Sequence, residues 1–322
     1  MEPPESDSNP TLVFPQLPSD RPLHLVVYGD TRFADPSVTV GTNPRIRHWL
    51  ADQIGLQHPQ AILITGDTPF HGGLPEDWLA FQQETASWRE AGALQLPTIG
   101  NHEVYGGPKL GIANYLQNFP DIAQHRYYSA LLGCVEVLSL DSTQPTGVSS
   151  PQGRWFVAQL DHVPPQVEFL IILHHLPWMV DRQSQIFAGL PTKDCLALRD
   201  LLEARIARIH AKVLVINGHV HNYERFERLG VEYVITGGGG AKPYPVLYRG
   251  DGDLYKDMGF PVYHYLVIDV ADHKLHAVMW KVKDPEAANL EVEAKDDFSI
   301  EASASPLARP SLKHRRRHIS PD

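Results

Sequence analysis

The amino-acid sequence predicts an α/β fold in which parallel strands come first and antiparallel strands last. Three observations lead there: short β-branched runs that each end in Gly and a polar residue, helical stripes between those runs, and strand pairs further on. The first 20 residues are rich in Pro, Ser and acidic groups and read as a disordered lead-in. Residues 23–28 then form a first strand, because a strand covered on both faces is a nearly continuous apolar run. A helix follows at 44–57, a strand at 61–65 and a second helix at 75–91. Pro75 suits the first turn of that helix, where its missing N–H would have no partner anyway. Strands are expected at 96–99 and 134–140, a helix at 152–160, a strand at 167–174, a helix at 193–209 and a strand at 212–217.

Beyond residue 221 the pattern changes to hairpins, 223–229 with 231–236 and 263–270 with 274–282. Gly230 and Ala271-Asp272-His273 supply the turns. Helix–strand alternation followed by antiparallel strands indicates two mixed β-sheets flanked by helices. Residues 21–283 read as one domain, and 284–322, charged and rich in Ser and Pro, as a flexible tail.

Composition narrows the function. A hydrophobic content of 43% in 322 residues is ordinary for a protein with a sizeable core. A net charge of -10 argues against broad binding to nucleic acid, which needs a basic face. The basic run at 313–318 is the exception, a weak contact for nucleic acid or an anionic membrane, and such runs are more often simply solvated. Cys134 and Cys195 both fall in apolar patterns and read as core fillers. No run reaches transmembrane length, and the first residues lack the basic and apolar regions of a signal peptide. A soluble, cytoplasmic protein is the expectation, or an exported one if a leader has been trimmed.

The chemistry sits where the strands end. The chain reads Gly29-Asp30-Thr31-Arg32, Gly66-Asp67-Thr68, Gly100-Asn101-His102-Glu103, His174-His175 and Gly218-His219-Val220-His221, each after a predicted strand. In open α/β sheets ligands bind at the carboxyl ends of the strands. Carboxylates, imidazoles and an amide without any thiolate suit hard to borderline metal ions. The glycines at 237–240 before Ala241-Lys242-Pro243 are no phosphate loop, since the spacer and the Ser or Thr after Lys are absent. No Gly-x-Ser-x-Gly supports a serine hydrolase. Tyr244, Tyr248, Tyr255 and Tyr263 either wall a substrate site or pack on their own domain.

Taken in order, these motifs resemble the calcineurin-like metallophosphoesterase superfamily over residues 23–281. Asn222-Tyr223-Glu224-Arg225 after the last motif, and the lack of His two residues beyond Asp30, resemble its purple acid phosphatase branch. The resemblance implies a four-layer αββα sandwich and two divalent or trivalent metal ions, Fe, Mn or Zn. It implies that Asp67 bridges them, that Asp30 and His221 complete the first, and that Asn101, His174 and His219 complete the second. His174 is preferred to His175 because it is the first residue past a strand ending at Leu173. A metal-held hydroxide would attack the phosphorus of a small phosphate ester in line, monoester favoured and diester possible. His102 would contact the phosphoryl group and protonate the leaving alkoxide, with Glu103 orienting an imidazole.

Two departures stand out. Arg32 occupies the place of a common His ligand, and Phe70 that of the purple branch's Tyr. Neither can bind a metal, so waters or His71 would fill the first site, and Arg32 would clamp a phosphate oxygen or pair with Asp35. The alternative is a non-catalytic phosphate-ligand binding protein with a weakened first metal site.

Overall fold

The computed structural model describes residues 11–14, 17, 22–188 and 190–303. The strands in chain order are β1 (Thr11–Val13), β2 (Leu23–Tyr28), β3 (Ala61–Ile64), β4 (Leu94–Pro97), β5 (Tyr128–Leu132), β6 (Val135–Ser139) and β7 (Phe169–Leu173). They continue as β8 (Lys212–Asn217), β9 (Tyr223–Arg228), β10 (Val231–Thr236), β11 (His264–Ala271), β12 (Lys274–Val282) and β13 (Val292–Glu301). The helices are α1 (Pro44–Leu56), α2 (Pro75–Glu84), α3 (Ala86–Glu90), α4 (Asn101–Val104), α5 (Pro108–Asn118), α6 (Pro151–Asp161), α7 (Arg182–Ala188) and α8 (Lys193–Glu203).

Two mixed sheets form, ordered β1-β5-β6-β7-β8-β10-β9 and β13-β12-β11-β2-β3-β4. The period of two along a strand decides which side chains meet. In the seven-stranded sheet Val135, Val137, Phe169, Ile171, Leu173, Leu214 and Ile216 face the other sheet and join one core. The alternate residues Leu138, Leu170, Ile172, Val213 and Val215 face outward onto Trp155, Phe156, Leu198 and Leu202 of α6 and α8. Ile46, Leu50, Trp78, Phe81 and Trp88 from α1, α2 and α3 cover the six-stranded sheet. The expected two mixed sheets flanked by helices are thus observed.

Helix starts follow local chemistry. Asn43 Oδ1 accepts from Ile46 N (3.2 Å), Ser150 Oγ from Gly153 N (3.0 Å) and Thr192 Oγ1 from Cys195 N (3.2 Å). Pro44, Pro75, Pro108 and Pro151 occupy first turns, where proline is preorganised. The helix expected over 75–91 breaks at Thr85 into α2 and α3, and that expected over 193–209 stops at Glu203, with a 3-10 turn at Ile206–Arg208.

Two expected boundaries are corrected. The lead-in contains β1, which pairs in parallel with β5 from Thr11↔Ser129 to Val13↔Leu131. The tail expected from 284 instead returns as β13, antiparallel to β12 from Lys274↔Glu301 to Val282↔Val292. Asp296 on β13 accepts from Arg225 Nε (2.7 Å) and Tyr223 OH (2.9 Å), tying the strand to β9 of the other sheet. The basic run at 313–318 lies outside the described residues. Among the described residues no helix is long and apolar enough to cross a membrane.

Candidate metal centre

The parallel pairs β2–β3–β4 and β7–β8 run in register, so their carboxyl ends open on one edge. The loops leaving β2 and β3 are zipped together. Asp30 N donates to Gly66 O (2.9 Å), Arg32 N to Asp67 O (3.0 Å) and Phe33 N to Thr68 O (2.7 Å). Asp30, Arg32, Asp67 and His219 all sit in the left-handed backbone region, at φ of 54°, 51°, 52° and 66°. Each such residue costs on the order of 1–3 kcal/mol, and strain of this kind concentrates where side chains must be aimed. The glycines make room. A Cβ on Gly218 would stand 2.4 Å from Asp30 Oδ2, and one on Gly239 would stand 2.2 Å from Gly29 O.

Two groups of donor atoms result, Asp30, Asp67 and His221 in one and Asp67, His175 and His219 in the other, each within 4.8 Å of one another. Asp67 belongs to both. Asn101 Oδ1 closes the second group, 3.0 Å from His219 Nδ1 and 3.2 Å from His175 Nε2. The ring orientations are set from behind. His221 Nδ1–H donates to Lys242 O (2.9 Å) and His175 Nδ1–H to Thr65 O (2.8 Å), which turns each Nε2 toward the cleft.

The electrostatics mark the site as incomplete without cations. Asp67 Oδ2 and His221 Nε2 are buried and find no hydrogen-bond partner among the described residues, a costly state that a metal ion would relieve. Burial raises Asp30 to about 8 despite the nearby His175. Burial lowers His219 to about 4 and His221 to about 3, so both imidazoles are neutral and ready to ligate. Burial would also lower His175, but Asp67, 3.2 Å away, overrides it and holds the imidazolium up to about 10. The donor set of carboxylate, amide and imidazole fits two hard to borderline cations.

The structure brings together Asp30, Asp67, Asn101, His219 and His221, but His174 is a correction. Its ring turns to the outer face, with Nδ1 at 2.8 Å from Leu176 O and 3.0 Å from Trp178 Nε1. Leu173 faces the inter-sheet core, so the alternation sends His174 outward and returns His175 to the cleft. Counting that period from Phe169 is the sequence signal that identifies His175.

Glu103 is the second correction, since it orients backbone rather than an imidazole. Fully buried, it accepts from Asp67 N (3.0 Å), Thr68 N (2.8 Å) and Gly100 N (2.7 Å), locking the loop that carries Asp67. His102 stands at the rim. Its N–H donates to Asp67 Oδ1 (2.9 Å), its Nδ1–H to Phe70 O (2.5 Å), and its Nε2 lies 3.9 Å from Asp67 Oδ2. Arg32 leans over the Phe70 ring, 5.7 Å from its centroid, and among the described residues makes no ion pair. Asp35, the alternative partner for Arg32, accepts from Ser37 instead. His71 is held by Asp77 (3.2 Å) and stacks on Tyr105, outside both donor groups. Tyr244, one of the four loop tyrosines, stacks on His221 with centroids 4.5 Å apart. Tyr255 and Tyr263 are buried, whereas Tyr248 is exposed.

A two-sheet sandwich with paired cation sites at its strand ends defines the class, and comparison with known proteins places the chain within it. Residues 23–223 match the model of the calcineurin-like phosphoesterases, and the chain belongs to that family. Purple acid phosphatase 21 of Arabidopsis thaliana is 27% identical over 248 residues, 70% of this chain and 52% of that protein. A phosphoenolpyruvate phosphatase of Allium cepa is 25% identical over 206 residues, 58% of this chain and 40% of that one. The chain spans about half the length of the curated relatives it matches. A purple acid phosphatase from yellow lupin seeds superposes with a TM-score of 0.72 at 18% identity, covering 89% of this chain and 55% of that one. That likeness concerns the fold.

Proposed function

We propose that this chain is a metal-dependent phosphoesterase acting on small phosphate esters, monoesters in preference to diesters. The observation that carries the reading is Asp67, shared between two donor groups with a buried Oδ2 that no other described residue satisfies. Asp30, Asp67 and His221 would hold one ion, and Asp67, Asn101, His175 and His219 the other. Ions bound there would supply positive charge for phosphoryl oxygens and make water easier to ionise. Iron, manganese and zinc all suit these donors.

The chain's own groups supply the rest. Arg32, with Nε buried and unpartnered, binds a phosphate oxygen and offsets charge that develops there. His102, its Nδ1–H fixed on Phe70 O, presents Nε2 to the leaving oxygen and, as the imidazolium, gives that oxygen its Nε2 proton and returns to the neutral ring. Glu103 positions Asp67 and touches no substrate. The Allium cepa relative named a phosphoenolpyruvate phosphatase favours a small ester here.

The test is turnover of para-nitrophenyl phosphate and bis-para-nitrophenyl phosphate by protein loaded with iron, manganese, zinc or magnesium. The expected result is monoester hydrolysis exceeding diester hydrolysis. Arg32→Ala should raise KM roughly tenfold and weaken inhibition by free phosphate, with metal content unchanged. Metal-loaded protein that binds phosphate but turns over neither ester would favour the non-catalytic binding protein instead.

A further inference from the structure

A groove of about 500 Å³ lies beside the cleft, lined by residues 39–44, by Tyr263 and by Lys242. Gly41 separates the two spaces. Its carbonyl accepts from Lys242 N (3.0 Å) and, more weakly, from Arg32 Nη1 (3.5 Å). A Cβ at Gly41 would approach Phe70 Cε2 to 3.1 Å and Arg32 Nη1 to 3.7 Å. The groove therefore begins where the Arg32 guanidinium ends. Lys242 also anchors the cleft, because its carbonyl takes the Nδ1–H of His221.

Two other polar groups lining this groove are committed. Thr42 Oγ1 donates to Thr31 O (3.3 Å), and Asn43 Oδ1 caps α1. The Lys242 ammonium is different. It is exposed, and among the described residues no carboxylate lies within ion-pair distance of it. In a chain of net charge -10, an exposed lysine that lines this groove without an acid partner among the described residues is available to an anion.

We propose that this groove receives the alcohol part of the ester and that Lys242 selects alcohols carrying a second anionic group, a carboxylate or a second phosphate. The inference rests on the phosphoesterase reading and names the substrate class of that same site. Arg32 holds the phosphate to be cleaved, and Lys242 holds the anion at the far end of the leaving group. Because the ammonium is exposed, its contribution is that of a solvent-screened ion pair, and its effect falls as salt rises.

Binding to metal-loaded protein separates the possibilities without relying on turnover. The ligands are ethylphosphonate, phosphonopropionate and ethane-diphosphonate, titrated calorimetrically into wild type, Lys242→Ala and Lys242→Arg. Wild type should prefer the ligand with the matching second anion over ethylphosphonate. Lys242→Ala should weaken that ligand roughly three- to fivefold and ethylphosphonate little, and Lys242→Arg should restore most of the preference. The two dianion arms tell a carboxylate site from a second phosphate site. An equal loss for all three ligands, or no preference in wild type, overturns the role of Lys242 while leaving the phosphoesterase reading in place. Failure of ethylphosphonate itself to bind wild type counts against that reading.

Discussion

His174 and His175 are neighbours in sequence, yet they face opposite sides of a sheet. His175 lies against Asp67 and His219 in the cleft, with ring centroids 5.1 Å apart for the two imidazoles. His174 packs against Trp178 in the outer core, with centroids 5.9 Å apart. The consequences of losing each ring therefore differ in kind. His175→Ala should remove a ligand and lower both metal content and turnover by at least tenfold. His174→Ala should leave metal content intact and cost on the order of 1–3 kcal/mol of stability, because it leaves a cavity and strips Trp178 Nε1 of a partner. Elemental analysis with thermal melting of both variants separates the two roles. Metal loss in His174→Ala alone would reverse the assignment.

At the scale of elements, the segment after β10 is held over the site by buried acids. Glu224 on β9 accepts from Asp181 N (2.7 Å), from Asn222 Nδ2 (3.2 Å) and from Ser184 Oγ of α7. Asp181 Oδ1 in turn accepts from Gly250 N (2.9 Å). Burial raises Glu224 to about 7 and Asp181 to about 6. Both values lie above those of the unfolded chain, so the native state keeps protons that the unfolded state has already lost. Their stabilising contribution is complete below the unfolded carboxyl range and declines as pH rises through about 6 to 7. The melting temperature should fall across that window, and Glu224→Gln should flatten the fall. A melting temperature that rises over the same range would contradict this arrangement.

Legibility at this scale followed burial. The strands that carry the ligands were readable because they are continuous apolar runs, as in β3, whose four residues are all buried. α5 was not read, since Gly111 and Tyr115 are its only buried residues and leave no apolar stripe. β13 was not read because Glu293, Lys295, Asp296 and Asp297 make it look like tail. It is an edge strand whose charges protect an exposed edge, and a register shift between Met279 and Trp280 interrupts its alternation. The candidate ligands were legible from their Gly-flanked motifs, apart from the histidine choice. The roles of Glu103 and Tyr244 were not, because a carboxylate gathering three backbone N–H groups and a ring stacked on His221 are contacts made only by the folded chain.

At the scale of the whole molecule, two sheets bring five strand ends to one edge, and an acidic protein gathers its anion-binding charge there. Net charge of -10 leaves little general attraction for phosphate. Arg32 and bound cations would supply it locally. The fold accepts strained backbone at Asp30, Arg32, Asp67 and His219, and buried atoms with no partner among the described residues, in exchange for a place where two ions would fit. The central claim is that Asp67 joins both ions. Its most direct test is the metal content of purified protein and of Asp67→Asn, dialysed against iron, manganese or zinc. Wild type should hold about two ions per chain and Asp67→Asn close to none, because one substitution removes a donor from both groups. A wild type that binds no metal, or an Asp67→Asn variant that keeps both ions, would contradict the account.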